Sequence, residues 1–190
     1  LLPYSPIFLD GMVIKLMKIH HNNVDFLKKE IQNRVLRRKD DPFKSEFYRE
    51  PRSRNKQEVF NADKAIIVAP SGMLVGGPSV RYFKALAGDK KNTVIIVGYQ
   101  ANDTPGKLVK AGAKNVEIAG EQIQINCQVE VAPFSGHSDS RELLQLARSV
   151  KGLKKIFVVH SERDSALGLA RQMNKIAKTY VPQLGEKVQL

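Results

Sequence analysis

The sequence holds one cysteine, Cys127, and no tryptophan. A single cysteine excludes an intrachain disulfide and any zinc site built from thiolates alone. A cytosolic, cytoplasmic chain fits that usage. Cys127 sits in the alternating run "IQINCQVEV" and is read as a small packed hydrophobe. No apolar run is long enough to cross a bilayer, so no membrane partner is expected. The opening "LLPYSPIFLDG" has neither a basic n-region nor a small-residue cleavage site, so no secretory leader is expected. The first residue is not Met, which is read as a start inside a longer protein. Acids are scarce: 19 Asp and Glu stand against 31 Lys and Arg, a net charge of +12. A field of that sign favours a polyanion, most often nucleic acid.

What is present starts with where that charge sits. Residues 28–56 carry eleven bases and five acids, so this window alone supplies half of the net charge. Phe43, Phe47 and Tyr48 interleave with the bases. Cations neutralise phosphates and aromatic faces stack on bases, which reads as a nucleic-acid contact. A mobile charged loop is the competing reading.

Apolar periodicity orders the rest. "PIFLD" reads as a short strand ending at Asp10. A single helix is predicted behind it, because Val24, Leu27, Ile31 and Val35 recur at helical spacing after Val13 and Met17. Residues 64–72, 92–98 and "KKIFVVHS" read as strands buried on both faces. "GGPSVRYFKALAGD" and "KLVKAG" read as helices between them, with Pro78 in a first turn. Strand, loop and helix alternating at these lengths predict an α/β fold, a parallel sheet flanked by helices. Residues 115–135 switch to alternation and predict antiparallel or edge strands. A helix over 138–150 is predicted, N-capped by Ser138 or Asp139. Another is predicted over residues 163–180, followed by a turn and a last strand.

In open α/β sheets, ligands bind at the carboxyl ends of strands. Four such ends carry polar, glycine-rich or imidazole groups. "SGMLVGGPS" offers Ser71, Gly72, Gly76 and Gly77 as a phosphate cradle, although tight-turn glycines explain it equally well. It is neither a P-loop nor GxGxxG. "GYQANDTPG" offers Tyr99, Gln100, Asn102 and Thr104, with an ordinary surface turn as the alternative. His137, with Asp139 beside it, is placed as an acid or base. His160 follows an apolar run and precedes Glu162 and Asp164, as a metal ligand with carboxylate support would. Yet the chain has four histidines and no HxHxDH, HExxH or CxxC motif. A hydrolytic metal needs three or four protein ligands, so these residues do not complete a site.

Together, residues 66–112, then "FSGHSD", then "VVHSE", closely resemble the metallo-β-lactamase/β-CASP ribonucleases, with archaeal homologues of the cleavage and polyadenylation specificity factor nuclease as the nearest branch. The resemblance runs from "PIFLD" to the last residue. It implies a Rossmann-like β-CASP domain over residues 1–125. Residues 126–190 would be the returning C-terminal segment of a metallo-β-lactamase domain. It implies a metal-dependent RNA-cleaving hydrolase acting in 3′-end processing or decay, with two zinc ions in the whole protein. "SGHSD" corresponds to the family's motif B, which puts His137, and Asp139 with it, at the scissile phosphate. "VVHSE" corresponds to motif C and makes His160 a zinc ligand, with Ser161 where the family often has Gly. The remaining ligands lie upstream in the family. The 190 residues alone are therefore expected to bind no zinc and to be inactive without an N-terminal metal-binding half. RNA is the expected partner, contacted by the loops at 71–79 and 99–107 with Arg81 and Lys107 on phosphates. A homodimer is a further implied partner. The alternatives are a non-catalytic RNA-binding or dimerisation module and a small-ligand binder using "SGMLVGGPS".

Overall fold

A computed structural model describes residues 5–52, 56–132, 134 and 136–188. Arg54 of the basic window, and Pro133 and Ser135 before His137, lie outside the described residues. The chain divides into two compact units, Leu1–Phe134 and Ser135–Leu190.

In the first unit, β1 (Ile7–Leu9) is the middle strand of a three-stranded parallel sheet, between β2 (Tyr48–Arg49) and β3 (Ile66–Val68). The single helix predicted behind β1 is broken in two, α1 (Met12–Asn22) and α2 (Lys29–Leu36), with a 3₁₀ turn at Val24–Phe26 between them. The cause is local. Asn23 turns its side-chain amide back to the Ile19 carbonyl at 2.8 Å, and short polar side chains of this kind compete with the helical ladder. Gln32 then reaches back to the Asp25 and Leu27 carbonyls and ties α2 to the break.

After α3 (Gln57–Phe60) and β3 comes α4 (Pro78–Leu86), opened by Pro78 as expected for a residue with no N–H to lose. Next are β4 (Thr93–Ile96) and α5 (Pro105–Lys110). The alternating stretch forms an antiparallel hairpin, β5 (Asn115–Ile118) with β6 (Glu121–Gln124). β7 (Gln128–Val131) then returns parallel to β4. Phe83, Ile96, Val109, Val116 and Ile125 form the larger core of this unit, and Phe8, Val59 and Tyr82 a smaller one. Cys127 is buried in the larger core, where desolvation raises its thiol pKa.

β3 and β4 are not buried on both faces, and neither is the run predicted over residues 154–161, where Val159 is 56% exposed. Ile67 and Val94 pack inward, whereas Ile66 and Ile95 are 42% and 58% exposed. A continuous apolar run does not distinguish a two-faced strand from one whose alternate residues look outward.

The second unit contains α6 (Ser140–Ser149), β8 (Lys155–Phe157), α7 (Arg163–Met173) and β9 (Lys178–Tyr180). β8 and β9 pair in parallel, with α7 as the crossover. Val158, Ala166, Ala170 and Met173 form its core, joined by Leu143 and Leu144 of α6. The helix predicted to run to Tyr180 stops at Met173, because Asn174 accepts the Thr179 N–H at 3.1 Å and turns the chain into β9. The last strand therefore precedes the tail. Residues 181–188 hold a turn at Leu184 and Gly185 and no strand. The protein is a mixed α/β chain with parallel sheets flanked by helices.

Candidate functional site

The turn after β3 is tightly built. Ser71 N–H donates to the Gly76 carbonyl at 3.2 Å, and Leu74 N–H to the Ser71 carbonyl at 3.3 Å. Ser79 N–H donates to the Pro70 carbonyl at 2.9 Å, and its hydroxyl to the Ser71 carbonyl at 2.7 Å. Three N–H groups of this segment are thus committed internally. Gly77 has φ +77°, and a Cβ there would lie 2.8 Å from the Pro70 carbonyl oxygen. Backbone geometry alone requires glycine at that position. Gly72 and Gly76 differ: neither has positive φ, and each faces open space where a Cβ would stand.

The loop after β4 docks on this turn. Gly106 N–H donates to the Met73 carbonyl at 3.0 Å, and a Cβ on Gly106 would meet the Met73 backbone and the Gln100 side chain. Gln100 is 2% exposed, with its Nε2 near the Gly98 carbonyl at 3.4 Å and its buried Oε1 without a hydrogen-bond partner among the described residues. Ser71 Oγ is likewise buried with no partner among the described residues. Thr104 caps α5: its hydroxyl donates to the Ala101 carbonyl at 2.7 Å and accepts Lys107 N–H at 3.3 Å. Tyr99 is 61% exposed, and Arg81 on α4 and Lys107 on α5 are also exposed. The structure therefore joins the two predicted loops, but it separates their residues into a buried set (Gln100, Thr104) and an exposed set (Arg81, Tyr99, Lys107).

Sequence reasoning missed a third group beside them. Asp10 at the carboxyl end of β1 is buried and accepts the Tyr82 hydroxyl at 2.7 Å, with Lys56 Nζ 3.2 Å away. Burial, then the hydrogen bond to Asp10, raises the Tyr82 phenol pKa well above its ordinary value. The adjacent Gly11 packs on Pro70 and Pro78. The Asp10 cluster thus sits against both ends of the Ser71–Gly77 turn. A lone carboxylate at a strand terminus was the available signal; its partner Tyr82 is 72 residues away.

In the second unit, His137 is exposed on a bend two residues before the N-cap of α6. Asp139 is that cap. Its Oδ1 accepts Glu142 N–H at 2.8 Å, while Glu142 Oε2 accepts Asp139 N–H at 3.1 Å, a reciprocal capping box. The Asp139 carboxylate therefore already holds a helix start, which fixes the end of the segment that carries His137. His160 lies between β8 and α7, exposed, with φ +58°. That left-handed conformation is uncommon for a side-chain-bearing residue, although His, Asn and Asp adopt it more often than others.

Among the described residues, no group of three or more His, Cys, Asp or Glu side chains is arranged to hold a metal ion. His160 is chemically suited to be one ligand, but the donor set around it does not make a complete site. No helix among the described residues is long and apolar enough to cross a membrane.

Residues 1–109 match the Beta-Casp domain. Residues 122–182 match the Zn-dependent metallo-hydrolase RNA specificity domain. Among curated proteins, the transcription termination factor FttA of Methanocaldococcus jannaschii is 40% identical over 189 residues, covering 94% of this chain and 30% of the relative. FttA of Pyrococcus horikoshii is 38% identical over 179 residues, covering 90% of this chain and 28% of the relative. FttA of Cenarchaeum symbiosum is 34% identical over 198 residues, covering 98% and 30%. The chain spans about 30% of the length of these curated relatives. With both matches in order along nearly its whole length, this chain belongs to the metallo-β-lactamase/β-CASP family, a β-CASP domain followed by the RNA-specificity segment of the zinc-dependent metallo-hydrolases.

Proposed function

We propose that this chain is the β-CASP and C-terminal part of a metal-dependent RNA-cleaving hydrolase, one that acts on phosphodiesters in RNA 3′-end processing or decay. The observation that carries this reading is the succession of the two matched domains on one chain, with His137 and His160 both exposed in the second. On this reading the family boundary falls at residues 125/126, ahead of β7, which pairs with β4 inside the first compact unit.

In this reading His137 faces the scissile phosphate, where an imidazole donates a proton or a hydrogen bond to developing negative charge. Asp139 positions it by capping α6. His160 contributes one ligand to a two-zinc centre whose other ligands come from an N-terminal metal-binding half. When bound, zinc supplies Lewis acidity and an activated water. Residues 1–190 by themselves do not form that centre and are inactive alone. The RNA strand contacts Tyr99, Arg81 and Lys107, while the Ser71–Gly77 turn presents Gly72 and Gly76. Glycines that neither φ nor packing requires suit close approach of a phosphate backbone. Gln100 and Thr104 hold these loops in shape. The protein works in the cytoplasm, and a homodimer is its expected assembly.

The test uses the full-length protein. His137→Ala is expected to abolish cleavage while keeping most RNA affinity; equal loss of both would make His137 a binding or structural residue. His160→Ala is expected to lower bound zinc by elemental analysis, and full metal occupancy would refute its role. Isolated residues 1–190 are expected to show no tight zinc binding by calorimetry. A second reading, a non-catalytic RNA-binding or termination module, is favoured by the relatives being transcription termination factors by name. It predicts that RNA binding and termination survive His137→Ala unchanged.

A further inference from the structure

The first unit contains an open cavity of about 360 Å³ whose lining includes no residue of the turn and loop described above. That volume is within the ~300–1,000 Å³ range of small-molecule sites. Its floor is apolar, formed by Leu9 at the end of β1 and by Ile14 and Met17 of α1. Phe43 and Tyr48 flank it, and Lys18, Lys44 and Arg49 stand at its rim. Glu50 is the anion of the lining.

The segment that makes the rim is held in place and is not a loose charged loop. Asp41 ties it down: Oδ1 accepts Phe43 N–H at 2.9 Å, and Oδ2 lies 2.7 Å from His21 Nδ1, close but outside hydrogen-bond geometry. The His20 ring stacks on Phe43 with centroids 5.6 Å apart. Tyr48 donates its hydroxyl to the Pro42 carbonyl at 3.1 Å. Arg49 donates to the Tyr48 carbonyl at 3.0 Å and to the Glu46 carbonyl, so its guanidinium is oriented before any ligand arrives. Lys18 and Lys44 are exposed, and neither belongs to an ion pair among the described residues.

We propose that this cavity is a binding site for one nucleotide of a single-stranded RNA. The base lies on the apolar floor beside Phe43 and Tyr48, and the flanking phosphates lie against Lys18, Lys44 and Arg49. An apolar slot with aromatic walls takes any base by its flat face, so the site contributes affinity with little sequence preference. Three cations against one carboxylate select a polyanion over a neutral or basic peptide. The site rests on the RNA-hydrolase reading above, since it gives the same strand a second point of attachment.

The experiment uses the full-length protein and a single-stranded RNA carrying 4-thiouridine. Photo-crosslinks mapped by mass spectrometry are expected in the peptide spanning Phe43 to Arg49. Lys18→Gln with Lys44→Gln changes two exposed side chains, so folding is not at risk. That pair is expected to weaken binding roughly three- to tenfold and to reduce the salt slope by about 1.4, the release expected for two single-strand phosphates. Normal affinity and slope in the double variant, with crosslinks elsewhere, would overturn this site while leaving the RNA reading intact. A wild-type protein that binds no RNA at any salt would overturn both.

Discussion

The two units treat polar residues in opposite ways. In Leu1–Phe134, Asp10, Gln100 and Thr104 are buried, and each makes a side-chain hydrogen bond within the fold. In Ser135–Leu190, His137, Asp139 and His160 are all exposed. The first unit spends its polar groups on holding two loops in a fixed shape. The second displays its imidazoles from a capped helix start and a left-handed turn. Gln100 and His137, both read from the sequence as polar groups beyond strand ends, therefore differ in what substitution should do. Replacing Gln100 is expected to disturb a scaffold, and replacing His137, in its proposed role, to alter chemistry on an intact scaffold.

The sharpest way to break this contrast is at Gly77. A side chain there must adopt φ +77° and press a Cβ to 2.8 Å from the Pro70 carbonyl. Strain at such a φ and overpacking each cost about 1–3 kcal/mol, so Gly77→Ala is expected to destabilise by roughly 3 kcal/mol or more. Urea denaturation measures it. Gly76→Ala, in open space, is the control and is expected to cost less than about 1 kcal/mol. If the two cost the same, the turn is not the rigid element the hydrogen bonds indicate.

Tyr82→Phe comes next. It removes the 2.7 Å bond to buried Asp10 and leaves that carboxylate with Lys56 alone. The expected loss is about 1–3 kcal/mol. The pH dependence has a definite sign. The folded state holds the phenol proton above its ordinary value of 10.0, so this stabilisation is complete below pH 10 and is lost as pH climbs past it. Tyr82→Phe is expected to remove that alkaline loss. An unchanged alkaline profile in the variant would mean that Tyr82 does not carry it.

Local rules made much of this architecture legible. Pro78 after Gly77 marks the start of α4, and the pair Ser138 and Asp139 marks the start of α6, where Asp139 proves to be the N-cap. The alternating strand and helix pattern announced parallel pairing. What was not legible depends on distance along the chain. Nothing near Gln100 signals that Gly106 will dock against Met73 and bury it. Asp10 and Tyr82 are 72 residues apart, and the rim of the cavity is made by two segments that the sequence presents as a helix and a loop. The outward faces of β3 and β4 are not legible in the sequence, because hydrophobicity alone does not say how many layers cover a strand.

The second unit should yield smaller effects. Asp139→Ala removes the cap and is expected to cost about 1 kcal/mol of stability. Asp139→Asn keeps an oxygen that caps and is expected to restore most of it. Activity of the full-length protein should follow the same order if Asp139 only positions His137. If Asn restores stability but not cleavage, the charge itself is needed at the phosphate.

The smallest stability change, and the most telling, is expected at His160. Its φ of +58° costs an ordinary side chain about 1–2 kcal/mol relative to the right-handed region, whereas glycine adopts it freely. Glycine returns about 0.5–1 kcal/mol of that gain as extra chain entropy in the unfolded state. His160→Gly should therefore leave stability unchanged or raise it by up to about 1 kcal/mol, while a β-branched residue at the same place should lower it. The denaturation midpoints of His160→Gly and His160→Val measure both. A fold that gains from losing its histidine retains it for something other than folding, which is the pattern expected of a ligand to a metal. If His160→Gly instead destabilises by more than 1 kcal/mol, the imidazole is a packing group, and the second unit resembles the first after all.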